Sequence, residues 1–214
     1  MVISSYPAVY RDGRGEETTT LYREGPGFHM TVRGVEFRSA YDICMLETEL
    51  APTDSQLSAF TIDADGGLKA CVLAFSMPIL VVVNSTDIEG ILSLRLDYGE
   101  VTAVRGSLRA KLTFDTYLFE STGDDDWTET ALQEIQSLLL SGTYIKCCFT
   151  CAFSDYNPAG GPLACFRDNK TAYSKIGRSK PEIFGIWNTL TEAVHETYLC
   201  PEFAHRVPGT GWRG

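Results

Sequence analysis

Histidine is scarce: only His29, His195 and His205 occur in 214 residues. A thiol or hydroxyl nucleophile needs a base beside it, so catalysis of that kind has few places to sit. The chain also lacks a G-x-S-x-G elbow, a G-x4-G-K-[ST] loop and an H-E-x-x-H helix. The common hydrolase, P-loop and zinc-protease chemistries lose their usual markers. Basic charge is short as well, 18 Lys and Arg against 28 Asp and Glu, for a net −10. Unaided nucleic-acid binding wants a basic face, so this balance argues against it and favours a partner with a basic surface. Long apolar runs are missing too. The longest, Cys71 through Val83, is interrupted by Ser76 and Pro78 and is shorter than the roughly 18–20 residues that span a bilayer. The first residues hold no apolar stretch of an export signal before Arg11. A cytoplasmic protein with no membrane helix is the expectation.

What is present is a folded composition, 44% hydrophobic and 21% charged. Seven cysteines stand out. In a reducing compartment an odd number reads as thiols or ligands rather than a disulfide framework. Charge divides the chain: residues 1–141 hold 22 acidic and 10 basic side chains, and residues 142–214 hold 6 and 8. Five cysteines (Cys147, Cys148, Cys151, Cys165 and Cys200) fall in the nearly neutral remainder.

Phe28–Phe37, Ala59–Asp63, Leu68–Val83, Ile88–Asp97 and Leu108–Glu120 alternate or run apolar and are strand candidates, separated by turn signals such as Gly25-Pro26-Gly27 and Asn84-Ser85. Gly90-Ile91 suggests a bulge in the fourth segment, and Pro78 suggests that its run is two segments or a bulged edge. A helix begins near Asp126, with Asp126 as cap, carries Leu132, Ile135, Leu138 and Leu139, and stops at Gly142. A second is expected over Pro181–Thr197, with Phe184 and Trp187 on its apolar face. The fold class is α+β: an antiparallel β-sandwich or curled barrel in the N-terminal two-thirds, with two helices and a Cys-rich, β-containing C-terminal unit packed on it. Residues 1–122 form the acidic β region and 123–214 the helix and Cys-rich unit, or the two make one continuous domain.

Cys148 and Cys151 form a C-x2-C pair, Cys165 follows after thirteen residues and Cys200 after thirty-four more. Four thiolates at about 2.3 Å would make a closed tetrahedral structural zinc site on Cys148, Cys151, Cys165 and Cys200. Two alternatives stay open: buried free thiols, because cysteine is among the most buried residue types, and a redox or nucleophilic pair. Phe149 and Thr150 favour a strand, and a regular strand would point Cys148 and Cys151 to opposite faces. Cys147 could replace Cys148 as ligand, while Cys44 and Cys71 read as core. His195, five residues before Cys200, is a candidate Cys-His base. Asp155 and Tyr156, with Arg167 and Asp168, flank the loop Asn157–Pro162 and could line a pocket; Asp155 and Arg167 are expected to pair or to satisfy loop backbone.

These residues carry a resemblance. The C-x2-C pair running into AFSDYNPAGG, then LACFRDNK, HETYLCPEF and VPGTGWRG, with TVRGVEF from Thr31 and the EIQSLLL helix, resemble an uncharacterised bacterial family catalogued as domain of unknown function 6304. Members similar to it usually have another residue at the place of Cys147, which implies Cys148 as the ligand. They also often carry a longer loop before the third cysteine than this chain does. The family implies no activity. The expectation is a non-enzymatic binding protein, of the toxin-neutralising or defence-assembly kind, with a structural zinc. The alternative is an enzyme built from Cys, His, Asp and Arg around residues 148–167.

Overall fold

The computed structural model describes residues 3–51, 54–102, 106–177 and 179–213. The chain divides into two compact units, residues 1–78 with 89–141, and residues 79–88 with 142–214.

The first unit is built from β1 (Ile3–Asp12), β2 (Gly15–Glu24), β3 (Gly27–Val32), β4 (Val35–Ser39), most of β5 (Cys71–Val83) and β6 (Thr86–Asp97), whose joined ends at residues 79–88 belong to the second unit, β7 (Ser107–Phe114), β8 (Tyr117–Glu120) and α1 (Thr128–Leu138). Strand order is β4-β3-β2-β1-β5-β6-β7-β8, an antiparallel ladder that follows the chain hairpin by hairpin apart from β1 to β5. Side chains alternate between faces with the period of two that strands impose. Tyr6, Ala8 and Tyr10, then Leu73, Phe75 and Met77, then Leu92, Leu94 and Leu96 are buried, and the residues between them face outward. The α+β, mostly antiparallel expectation holds.

Several details correct the sequence reading. Phe28–Phe37 is a hairpin rather than one strand, folded back at Arg33-Gly34, where both residues have positive φ, 48° and 79°. That is the turn whose twist matches antiparallel strands. Leu108–Glu120 likewise folds back at Asp115. Ala59–Asp63 is no strand: Ser55–Ala59 is a 3-10 turn, and Ile62 makes a single bridge to Leu68. No bulge interrupts β6 at Gly90, because the glycine takes an inward slot between Ile88 and Leu92 and keeps the alternation. Pro78 does not split β5. β1 pairs with β5 at Cys71–Phe75 and β9 (Thr143–Lys146) at Leu80–Val83, so Pro78, which has no N–H to give, lies between the two ladders.

Helix α1 begins at Thr128 after Trp127, and Asp126 is not its cap. Asp42 reaches the first helical residue from afar, accepting from the Thr128 hydroxyl at 3.3 Å. Asp126 instead accepts from Gly106 N–H at 3.3 Å.

In the second unit, β9 is followed by β10 (Ser154–Tyr156), β11 (Leu163–Cys165), α2 (Lys170–Tyr173), α3 (Lys180–Ile186) and β12 (Glu192–Val194), with sheet order β10-β11-β12. The second helix is therefore shorter than Pro181–Thr197. Glu192–Val194 pairs with β11 instead, in the register Leu163↔Val194, and those ladder bonds outweigh the helical spacing. Trp187 packs against the core of Ala164, Phe166, Tyr173 and Ile183, whereas Phe184 is exposed. Among the described residues no helix is long and apolar enough to cross a membrane.

Candidate functional site

The segment Lys146-Cys147-Cys148-Phe149-Thr150-Cys151 leaves β9 and winds into a 3-10 turn at Cys148–Thr150. Tyr198 and Glu196 carbonyls take the N–H groups of Cys148 and Phe149 at 2.7 and 2.9 Å, and the Thr150 hydroxyl bonds back to the Ile145 and Cys147 carbonyls. The strand expected here is replaced by a turn with three residues per revolution, in which positions i and i+3 eclipse. The opposite-face objection to Cys148 and Cys151 thereby falls away.

Cys165 ends β11, and Cys200 follows the buried stretch His195–Thr197. Cys148, Cys165 and Cys200 share one core cluster with Leu163 and Val194, against which Tyr156 and Tyr198 pack. Burial pushes the Cys148 thiol up, and the neighbouring sulfurs of Cys147, Cys151, Cys165 and Cys200 push it further. The other three predicted ligands therefore lie within electrostatic reach of Cys148. Burial also raises Cys147, to about 12, and Cys165, each opposed by backbone N–H groups: Phe149 and Thr150 on Cys147, Arg167 on Cys165. Glu202 N–H donates to Cys200 Sγ at 3.3 Å. The Arg167 guanidinium loses hydration by burial, yet its ion pair with Glu192 and its contact with Cys200 hold its pKa above the ordinary value. Among the described residues no group of three or more His, Cys, Asp or Glu side chains is arranged to hold a metal ion. Cys71 is buried and Cys44 half-buried, both in the first unit.

The other candidates separate into distinct networks. Asp155 does not pair with Arg167. Fully buried, it accepts from Tyr173 Oη at 2.8 Å, Trp212 N–H at 2.6 Å and Arg213 Nε at 3.3 Å. Arg213 also donates to the Phe149 and Ser154 carbonyls at 3.0 and 3.1 Å and lies over the Tyr156 ring at 5.0 Å. Gly211 permits this approach: a Cβ there would collide with Tyr173 Oη and come within 2.7 Å of Asp155 Oδ2. Asp168 is exposed, its N–H bonded to the Thr191 hydroxyl at 3.1 Å.

His195 is buried in the turn after β12, not on a helix. Thr197 N–H donates to its Nδ1 at 3.2 Å, which assigns the proton of the neutral ring to Nε2, 3.2 Å from Glu196 Oε2. Tyr156 Oη donates to the other carboxylate oxygen of Glu196 at 2.7 Å. Sequence reasoning missed Glu192, Glu196, Tyr173, Trp212 and Arg213. The aromatic-basic pair Trp212-Arg213 in a Gly-rich tail was the available signal for the last two.

The profile of a family described as "Family of unknown function (DUF6304)" matches residues 4–154. That span takes in Cys148 and Cys151 and stops short of Cys165 and Cys200. No curated protein and no solved structure matches significantly.

Proposed function

We propose, for a chain that belongs to the DUF6304 family and so takes no activity from its relatives, a non-catalytic binding role in the cytoplasm, with a structural zinc closing the second unit. Cys148, Cys151, Cys165 and Cys200 would be the ligands. The observation that supports this reading is that Cys148, Cys165 and Cys200, far apart in sequence, share one core cluster, with Cys151 three residues from Cys148 and a backbone N–H donated to Cys200 Sγ. N–H groups on Cys165 and Cys200 and the Arg167 guanidinium suit thiolates, as outer-shell donors do in metal sites. Four sulfurs leave no open position, so a zinc ion here would staple rather than catalyse.

The acidic first 141 residues supply the binding half of the proposal. Their 22 acidic against 10 basic side chains suit a partner with a basic surface, the relation of an immunity-like protein to a toxin or of a subunit to a defence assembly. Long antiparallel sheets that twist strand on strand curl over their buried face, and a sandwich or curled barrel remains our reading of this one. An enzyme on the same cysteines has less support, because the His195 ring is engaged by Thr197 and Glu196.

Elemental analysis of protein purified without added metal tests the zinc. One zinc per chain and a marked loss of melting temperature on chelation are expected; metal-free protein with an unchanged melting curve overturns it. Native co-purification tests the binding role, the expected result being stoichiometric recovery with a basic protein. Recovery of the chain alone counts against it.

A further inference from the structure

Charge reverses on the outward face of the first unit. Arg95 on β6 and Arg109 on β7 are Cα partners across the ladder, and Ser93 faces Lys111 one pair further along the same face. Like charges set opposite each other on a sheet are destabilising. Lys111 has Glu120 at 3.3 Å to offset it. Among the described residues no side-chain hydrogen bond or ion pair engages the guanidinium of Arg95 or Arg109. This is unexpected in a region with 22 carboxylates to choose from.

Arg109 is held all the same. Its side chain lies on the backbone of Gly123, where a Cβ would stand 2.5 Å from its Cγ and 2.9 Å from its Nε. The side chain is thus positioned by packing, with its charge left for something else.

The two arginines border a groove of about 700 Å³ along β1, β5, β6 and β7, floored by Pro7, Val9 and Ala74. Ser76 and Ser93, their hydroxyls 2.8 Å apart, also line it. Small side chains on β1 and β5 line one side, and on the other the two arginines stand beside the Lys111–Glu120 ion pair, whose carboxylate is thereby neutralised. Its volume is that of a small-molecule site, with an apolar floor and a few polar groups at one side.

We propose that this groove binds a small organic oxyanion, its carboxylate or phosphate bridging Arg95 and Arg109 and its short apolar body lying on Pro7, Val9 and Ala74. A planar guanidinium meets either head group with two parallel hydrogen bonds, and a shared anion turns the repulsion between the arginines into attraction to one ligand. The site is independent of the zinc reading, and its preferred charge is opposite to that of the basic partner.

The test is titration of the full chain with phenyl phosphate, benzoate, inorganic phosphate and benzylamine, following the arginine Nε–Hε resonances by NMR. Arg95→Gln and Arg109→Gln assign the two signals. Saturable shifts of both with phenyl phosphate or benzoate are expected, weakened about tenfold or more in either variant and weaker for inorganic phosphate, which has no body to place on the floor. A preference between phenyl phosphate and benzoate supports the proposal and names the head group. Four results overturn it: no saturable shift below about 10 mM, equal response to benzylamine, unchanged binding in the folded Arg95→Gln/Arg109→Gln double variant, or tighter binding of a short oligoglutamate than of either small anion.

Discussion

Arg33 grips Asp12 with both terminal nitrogens, Nη1 to Oδ2 at 2.6 Å and Nη2 to Oδ1 at 2.8 Å. The carboxylate is 1% exposed, and the guanidinium lies over the Tyr10 and Phe60 rings at 5.4 and 5.5 Å. The hydrogen bonds from Arg33 outweigh burial and hold the Asp12 pKa down to about 2 from an ordinary 3.8. A depressed folded-state pKa gives stability that is present above the ordinary value and lost as pH falls towards 2. Arg33→Met should cost about 2 kcal/mol at neutral pH, because the buried carboxylate loses its bidentate partner and keeps the Tyr10 hydroxyl, the Arg14 N–H and the more distant Arg14 guanidinium. Urea unfolding reads the loss, and carboxyl-carbon NMR should show Asp12 titrating higher. A loss under about 1 kcal/mol with an unmoved titration would mean that the pair contributes little.

Asp42 behaves in the opposite sense. Burial raises its pKa from 3.8 to about 6, against the hydrogen bonds from Cys44 and Thr128. Its contribution is present below the ordinary value and is lost as pH rises through about 6. Asp42→Asn keeps the acceptor oxygen and removes the ionisation, so stability should vary less between pH 4 and 6.5 than in the parent. Asp42→Ala should instead cost about 1–2 kcal/mol, because Asp42 caps the 3-10 turn Ile43–Met45 through the Cys44 N–H and accepts from the Thr128 hydroxyl. Parallel pH-stability curves for the parent and the Asn variant would remove Asp42 as the cause.

The buried acceptor at Asp155 predicts a local effect. Gly211→Ala places a methyl against Tyr173 Oη and Asp155 Oδ2 and should release Trp212 and Arg213. Faster exchange of the Trp212 amide and red-shifted tryptophan emission are the readouts. Asp155→Ala, which removes one acceptor from Arg213, the Tyr173 hydroxyl and the Trp212 N–H while their bonds to Ser154 and Phe149 remain for the first two, should lower stability by about 1–2 kcal/mol. A Gly211→Ala protein with parental amide protection would show that the tail is held by other contacts.

The cysteines can be sorted one at a time. Ser substitutions at 148, 151, 165 and 200 should each abolish zinc stoichiometry, while those at 44, 71 and 147 should retain it. Loss at 147 with retention at 148 would transfer the ligand role to the neighbouring thiol.

Legibility in the sequence followed the range of the interaction. Alternation of Leu92, Leu94 and Leu96 with Ser93, Arg95 and Asp97 announces β6, because a half-buried strand writes its own pattern. The 132–135 spacing announces α1 for the same reason. The β1–β2 hairpin, with Glu16, Glu17 and three threonines, has a weak apolar signal and was not anticipated. Glu192–Val194 read as helix because its pairing with β11 is invisible locally. At the site, residue types and the grouping of Cys148, Cys165 and Cys200 were legible. The partners of Asp155 were not, since they arrive from positions 173, 212 and 213.

Asp42 and Thr128 stand 86 positions apart, yet the first turn of α1 depends on their meeting. Eleven residues make a marginal helix in water, and this one has no side-chain cap of its own. Its start is therefore completed only when the chain between has closed a long loop. Helix α1 should be a late element, locked by a sheet already formed, and a peptide of residues 124–142 alone should be largely coil.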